Sequence, residues 1–170
     1  MLGSATKNKQ IIERTRGWWE NSHWSISFNK REEHPIAHQP GGTGLTVFNA
    51  FSHKALKPGR DDEGLGRWSW VRLCGHSGHV LQIVSAYQPC YSTGPLSTYQ
   101  QQVRYLAAKD CTDTPKNRFL MGLTMAIKQW RTKGDTVIVL ADMNEDVHSP
   151  LIKNTFREVG MTKGLTSQHQ

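Results

Sequence analysis

Thr136-Val137-Ile138-Val139-Leu140-Ala141-Asp142-Met143-Asn144-Glu145-Asp146 is the stretch on which the reading of this chain turns. A β-branched apolar run follows Lys133-Gly134-Asp135 and ends abruptly in Asp-x-Asn. A continuous run of this kind reads as a strand buried on both faces. Asp142 and Asn144 stand two residues apart where that strand leaves the sheet, so they can point to the same side. A carboxylate and an amide there can hold a metal-bound water or a phosphate. They can equally close an Asx-turn after the strand. Local sequence leaves both readings open.

Working outward, the pattern of elements is mixed. Trp24-Ser25-Ile26-Ser27-Phe28 alternates apolar and polar residues, as a half-buried strand does. Gly41-Gly42-Thr43-Gly44 opens a strand through Leu45, Val47 and Phe48. Residues 29–40 and 57–66 are polar and charged and read as loops. Arg67 to Leu73 alternates again. Across the Gly75-His76-Ser77-Gly78 turn it forms a hairpin with Val80 to Tyr87, which Gln88-Pro89 ends. Residues 6–20 suit a helix running into Trp18 and Trp19.

Three further helices carry their own punctuation. Ser97-x-x-Gln100 has the form of a capping box, with Tyr99, Val103, Leu106 and Ala107 on one face. Thr114-Pro115 is an N-cap followed by proline at the first helical position. Phe119, Leu120, Leu123, Ala126, Ile127 and Trp130 give that helix a core stripe, and Gly134 stops it. Leu151, Ile152, Thr155, Phe156 and Val159 keep helical spacing up to Gly160. Hairpins followed by helices make an α+β fold.

Composition bounds the function. The chain has 170 residues, enough for one domain with a real core. Hydrophobic residues make up 36% and mean hydropathy is −0.58, so the globule is polar. No run of about 18 apolar residues offers a membrane span, and Met1 to Lys9 contains no apolar signal-peptide region. Cys74, Cys90 and Cys111 are an odd set without C-x-x-C spacing, which argues against a disulfide framework. An intracellular protein, nuclear or cytoplasmic, is the expectation. The net charge of +7 and pI near 9.5 favour a polyanionic partner.

Ser85-Ala86-Tyr87-Gln88-Pro89 is the second informative site: a strand end with an aromatic hydroxyl before a proline break. A Gly41-Gly42-Thr43 strand entry, a hairpin ending in Ala86-Tyr87-x-Pro89, two helices, and an apolar strand ending in Asp142-x-Asn144 follow one another in that order. Over roughly residues 40–160 this resembles the endonuclease/exonuclease/phosphatase superfamily of DNase I-like and exonuclease III-type enzymes. Gly66-Arg67-Trp68 and Thr93-Gly94-Pro95 are most similar to its retroelement-associated endonucleases.

The resemblance implies a two-sheet α/β sandwich with a Mg²⁺-dependent phosphodiesterase site at the strand ends. Tyr87 would touch the scissile phosphate. Asp142 would orient or deprotonate the attacking water, as a ligand of the metal. Asn144 would hold the phosphate or the Asp142 carboxylate. Arg67 and Trp68 would contact nucleic-acid phosphate or stack on a base, or else form a half-exposed part of the hairpin. DNA, or RNA, would be the partner. Ala141 stands where the family usually has glycine. A metal-binding glutamate before Gly41 and a closing Asp-His pair are missing from the pattern. Glu13 and Glu20 follow no buried strand, and His169 lacks the preceding aspartate.

The chain therefore resembles a partial domain, residues 1–170, short at both ends. Three functions stay open on this reading: an endonuclease module impaired by truncation, a non-catalytic or weakly nucleic-acid-binding relic, and a phosphatase for a small phosphoester or lipid headgroup. Other clusters read as structure. Cys74, His76 and His79 form a polar turn, the glycines at 41–44 form a turn and not a phosphate loop, and Glu145, Asp146 and His148 belong to the helix cap near Ser149.

Overall fold

The structure is a computed structural model that describes Glu13 and residues 21–30, 41–146, 148–162 and 164. Apart from Glu13, the helix expected over residues 6–20 lies outside the described residues, as do residues 31–40, Glu20 and His169. Among those described, the chain is mixed α+β, with a four-stranded mixed sheet, a two-stranded sheet and three α-helices.

The two-stranded sheet pairs β1 (His23–Ser27) with β2 (Thr43–Val47), antiparallel, with Ser25 opposite Leu45 and Ser27 opposite Thr43. The larger sheet runs in the order β3 (Ala55–Arg60), β4 (Trp68–Cys74), β5 (Val80–Tyr87), β6 (Thr136–Asp142). The β4–β5 hairpin turns at Gly75 to Gly78, as the glycines predict. β6 then joins β5 in parallel, after two helices: α1 (Thr98–Ala107) and α2 (Pro115–Thr132). α3 (Pro150–Glu158) follows β6.

The helices start where their capping residues place them. Ser97 accepts from the Gln100 N–H, Thr114 from the Asn117 N–H and Ser149 from the Ile152 N–H. Each cap satisfies a donor that the first turn leaves without an intrahelical partner. Gly134, at φ +83°, ends the turn after α2 in the left-handed region.

Strand alternation sorts the larger sheet into two faces. Trp68, Val84, Ala86, Val137 and Val139 meet the α2 stripe of Phe119, Leu120, Leu123, Ile127 and Trp130 in one apolar core, closed by Met143 and Ile152. Trp68 and Phe119 stack edge to face with centroids 6.1 Å apart. On the other face, β1 lies against β3 and β4, and β2 against β4 and β5. Small polar residues are buried there beside apolar ones, Ser25, Ser27 and Thr43 on one side and Ser69, Val71 and Leu73 on the other, and the Ser25 hydroxyl donates to the Gly59 carbonyl at 2.6 Å. Gly66, at φ +78°, lets its loop touch the backbone that follows β1; a Cβ there would sit 2.7 Å from Asn29 N.

Two expectations are corrected. Residues 57–66 are not all loop, because Ala55–Arg60 forms β3. Pro58 and the charges hide it, yet an edge strand tolerates proline because its outer N–H groups need no partner. Among the described residues the strand read as buried on both faces is itself an edge strand: there β6 pairs only with β5. Val137 and Val139 face the core, while Ile138 and Leu140 are 44% and 51% exposed. An apolar run records a preference for burial, not the presence of a cover. An open, apolar edge is a template for association between copies. Ile138→Lys with Leu140→Lys is expected to raise the soluble monomer fraction in size-exclusion chromatography. Unfolding free energy should stay within about 0.5 kcal/mol of the parent, as for other surface changes. Unchanged aggregation would refute the edge as its cause.

Candidate functional site

The parallel register sets Tyr87 directly beside Asp142, at the carboxyl ends of β5 and β6 and on the same face. Ligands of α/β sheets bind outside such carboxyl ends. Two hydrogen bonds then tie the two strand exits together, and a third closes the β6 exit on itself. The Gln88 N–H donates to the Asp142 carbonyl at 2.9 Å. The Asn144 N–H donates to Asp142 Oδ1 at 3.1 Å. Asn144 Nδ2 donates to the Gln88 carbonyl at 2.6 Å. Asn144 adopts φ +45°, a left-handed conformation that asparagine tolerates better than most residues. Between them Met143 is buried in the core and pins the turn.

The Asx-turn reading of Asp-x-Asn is realised. Asp142 and Asn144 close an Asx-turn, and that turn holds them, exposed, next to Tyr87. The link from Asn144 to the Asp142 carboxylate runs through the backbone N–H, while the side-chain amide grips Gln88. No side-chain pattern marks Gln88 for this role, because its carbonyl does the work.

Burial pushes the Tyr87 hydroxyl above its ordinary 10.0, the charges of Cys90 and Asp142 add to this, and a hydrogen bond with Asn144 opposes it. The phenol therefore stays protonated at neutral pH, where it can donate a hydrogen bond to an anion. The raised value also stabilises the folded state fully below pH 10 and less as pH rises past it, because the unfolded tyrosine ionises first. Tyr87→Phe is expected to narrow the loss of melting temperature between pH 8 and pH 11, read by circular dichroism. Equal losses in both proteins would refute the coupling.

A divalent metal finds a thin donor set. Among the described residues no three His, Cys, Asp or Glu side chains gather to hold one. Asp142 offers a single carboxylate, with Oδ1 engaged by the turn. Mg²⁺ sites commonly use one or two carboxylates with waters and substrate phosphate. These residues alone do not make a protein-built metal centre.

The neighbouring acidic residues are structural. Glu145 pairs with Lys116, and Asp146 Oδ1 accepts from the His148 N–H at 2.8 Å beside the Ser149 cap. Cys74, His76 and His79 form an exposed turn in which the His79 N–H donates to the His76 carbonyl.

Arg67 and Trp68 are not surface contacts for nucleic acid, nor half-exposed hairpin residues. They are 2% and 5% exposed. Arg67 Nε and Nη2 donate to the two Asp61 oxygens at 2.8 and 2.7 Å, and Nη2 also meets Glu63 Oε2 at 2.7 Å. Nη1 reaches the Arg118 carbonyl at 3.3 Å, and the guanidinium lies 4.5 Å from the Trp68 ring centroid. Asp61 further accepts from the N–H groups of Glu63, Leu65 and Arg67. Arg118 closes the cluster on Glu63. Burial pushes the Glu63 carboxyl up, but hydrogen bonds and charge from Arg118 and Arg67 outweigh this and hold it below its ordinary 4.5. The Arg-Trp step that looked like a recognition element braces the start of β4.

Among the described residues no helix is long and apolar enough to cross a membrane. Comparison of the chain with protein families, with curated proteins and with solved structures finds no match.

Proposed function

We propose that the Tyr87, Asp142 and Asn144 cluster binds and hydrolyses a phosphodiester, as a DNA endonuclease module of the endonuclease/exonuclease/phosphatase type. The observation that carries this reading is the in-register pairing of Tyr87 with Asp142 at the carboxyl ends of two parallel strands. Tyr87 donates a hydrogen bond to a non-bridging phosphate oxygen. Asp142 has Oδ2 outside the turn, able to orient a water and accept its proton. Asn144 keeps the two strand exits in fixed relation, so that phosphate and water are presented together. Dependence on Mg²⁺ and the retroelement character enter through the resemblance alone. The net charge of +7 supports a polyanionic substrate, because neutralising phosphates dominates such binding.

A non-catalytic nucleic-acid-binding role is the second reading, favoured by the thin donor set around Asp142. Nicking of supercoiled plasmid, with and without added Mg²⁺, separates the two. Activity that disappears in Asp142→Ala supports the endonuclease. Salt-sensitive DNA retention without nicking supports the binder. Nicking that persists in Asp142→Ala places the chemistry elsewhere.

A further inference from the structure

On the helix-side face of the large sheet lies a cavity of about 300 Å³, lined among others by Trp70, Trp130, Gln82, Lys57, Arg60 and Lys133. Gln82 sits five residues before Tyr87 on β5 and on the opposite face, so the two sites are about 16 Å apart along the strand. Gln82 is fully buried, yet neither its Nε2 nor its Oε1 has a hydrogen-bond partner among the described residues. An orphan buried amide is costly, which makes its placement informative. The sequence carried the signal: the core-facing positions of β5 read Gln82, Val84, Ala86, with an amide where the pattern wants an apolar residue.

The walls define what could meet that amide. Trp70 and Trp130 pack edge to face, with centroids 5.8 Å apart. Gly59 makes room for the Trp70 ring, since any Cβ there would run into it. Arg72 is held by Asp135, with Nε and Nη2 on the two carboxylate oxygens at 3.0 and 2.8 Å, and Asp62 also lines the cavity. Lys57, Arg60 and Lys133 have no carboxylate partner among the described residues, so the cavity keeps a net positive charge.

We propose that this cavity binds a nucleotide, the base seated against the tryptophan wall with its edge on Gln82 and the phosphate on Lys57, Arg60 and Lys133. A primary amide offers a donor and an acceptor side by side, which matches the hydrogen-bonding edge of a nucleobase. Aromatic walls suit a planar π-surface, and phosphate accounts for the cations. An apolar ligand would leave Gln82 unpaired, and a bare anion would use neither Gln82 nor the indoles. The site stands apart from the strand-end cluster and does not depend on its chemistry.

Calorimetric titration of the full chain tests it with three probes: adenosine and thymidine 5′-monophosphates, an eight-nucleotide single strand, and inorganic phosphate. Mononucleotide binding identifies a free nucleotide as the ligand, whereas binding of the single strand alone identifies an unpaired nucleotide within a chain. Gln82→Leu should weaken that binding about ten-fold while raising the melting temperature, because the buried orphan amide is gone. A triple Lys57→Ala, Arg60→Ala, Lys133→Ala variant, changed only at exposed positions, should weaken binding and flatten its salt dependence. The proposal falls if inorganic phosphate binds as tightly as the nucleotides, if no nucleotide binds below about 1 mM, or if Gln82→Leu binds unchanged. Should Gln82→Leu fail to fold, an unchanged affinity in the rim triple overturns it.

Discussion

Arg67→Leu is expected to lower the free energy of unfolding by about 3 kcal/mol, the range for removing one partner of a buried ion pair. The cause is the carboxylate left behind. Asp61 and Arg67 are both buried, and their two parallel hydrogen bonds form the centre of a cluster completed by Glu63 and Arg118. Leucine fills part of the volume but leaves Asp61 with backbone donors only. At this chain length the melting temperature should fall by roughly 6–12 °C. Arg67→Lys should recover part of the loss, since one ammonium cannot reproduce the planar fork. Below the ordinary 4.5 of Glu63, falling pH should erode the parent's stability as that carboxyl is protonated, because its folded value is depressed. Urea unfolding at pH 7 and pH 4 measures both effects. A loss under about 1 kcal/mol at pH 7 would show that the cluster is not a brace.

Loss of the Asp142 carboxylate should reduce plasmid nicking on the order of 10²-fold or more, if the strand-end cluster is the phosphodiesterase proposed above. Asn144 needs a finer comparison, because it serves the backbone as well as the site. Its φ of +45° makes Asn144→Ala strained in addition to cutting the link to Gln88. Asn144→Gly accepts that backbone and removes only the amide. Asn144→Asp keeps size and turn-forming ability but sets an acceptor against the Gln88 carbonyl. If Asn144 acts by holding the two strand exits together, glycine and aspartate variants both lose about 10²-fold in rate while melting near the parent. Full activity in Asn144→Gly would remove the residue from the site.

The local signals in the chain were legible because they are short-range chemistry. Ser97, Thr114 and Ser149 cap the helices they precede, and the Gly75–Gly78 turn joins the two strands that flank it. The stripe from Phe119 to Trp130 is the core, as its spacing says. The errors lie where sequence is silent about neighbours. Pro58 hides β3, and the apolar run gives no sign that Ile138 and Leu140 lie uncovered. Arg67 and Trp68 looked like contacts because arginine beside tryptophan has two uses. Which one applies depends on Asp61, six residues away, and on Arg118 from a distant helix.

Sequence by itself therefore determined the helix caps, the β4–β5 hairpin, the core stripe of α2, the α+β class, and that Tyr87, Asp142 and Asn144 stand at strand ends. Caps, turns and alternation act within a few residues, so they can be read without knowing the fold. Tertiary structure alone decided which strand lies at the edge, which charges are buried, and that Gln82 faces a tryptophan-lined cavity. Those outcomes depend on which distant segment covers a residue, and burial is a property of the pair.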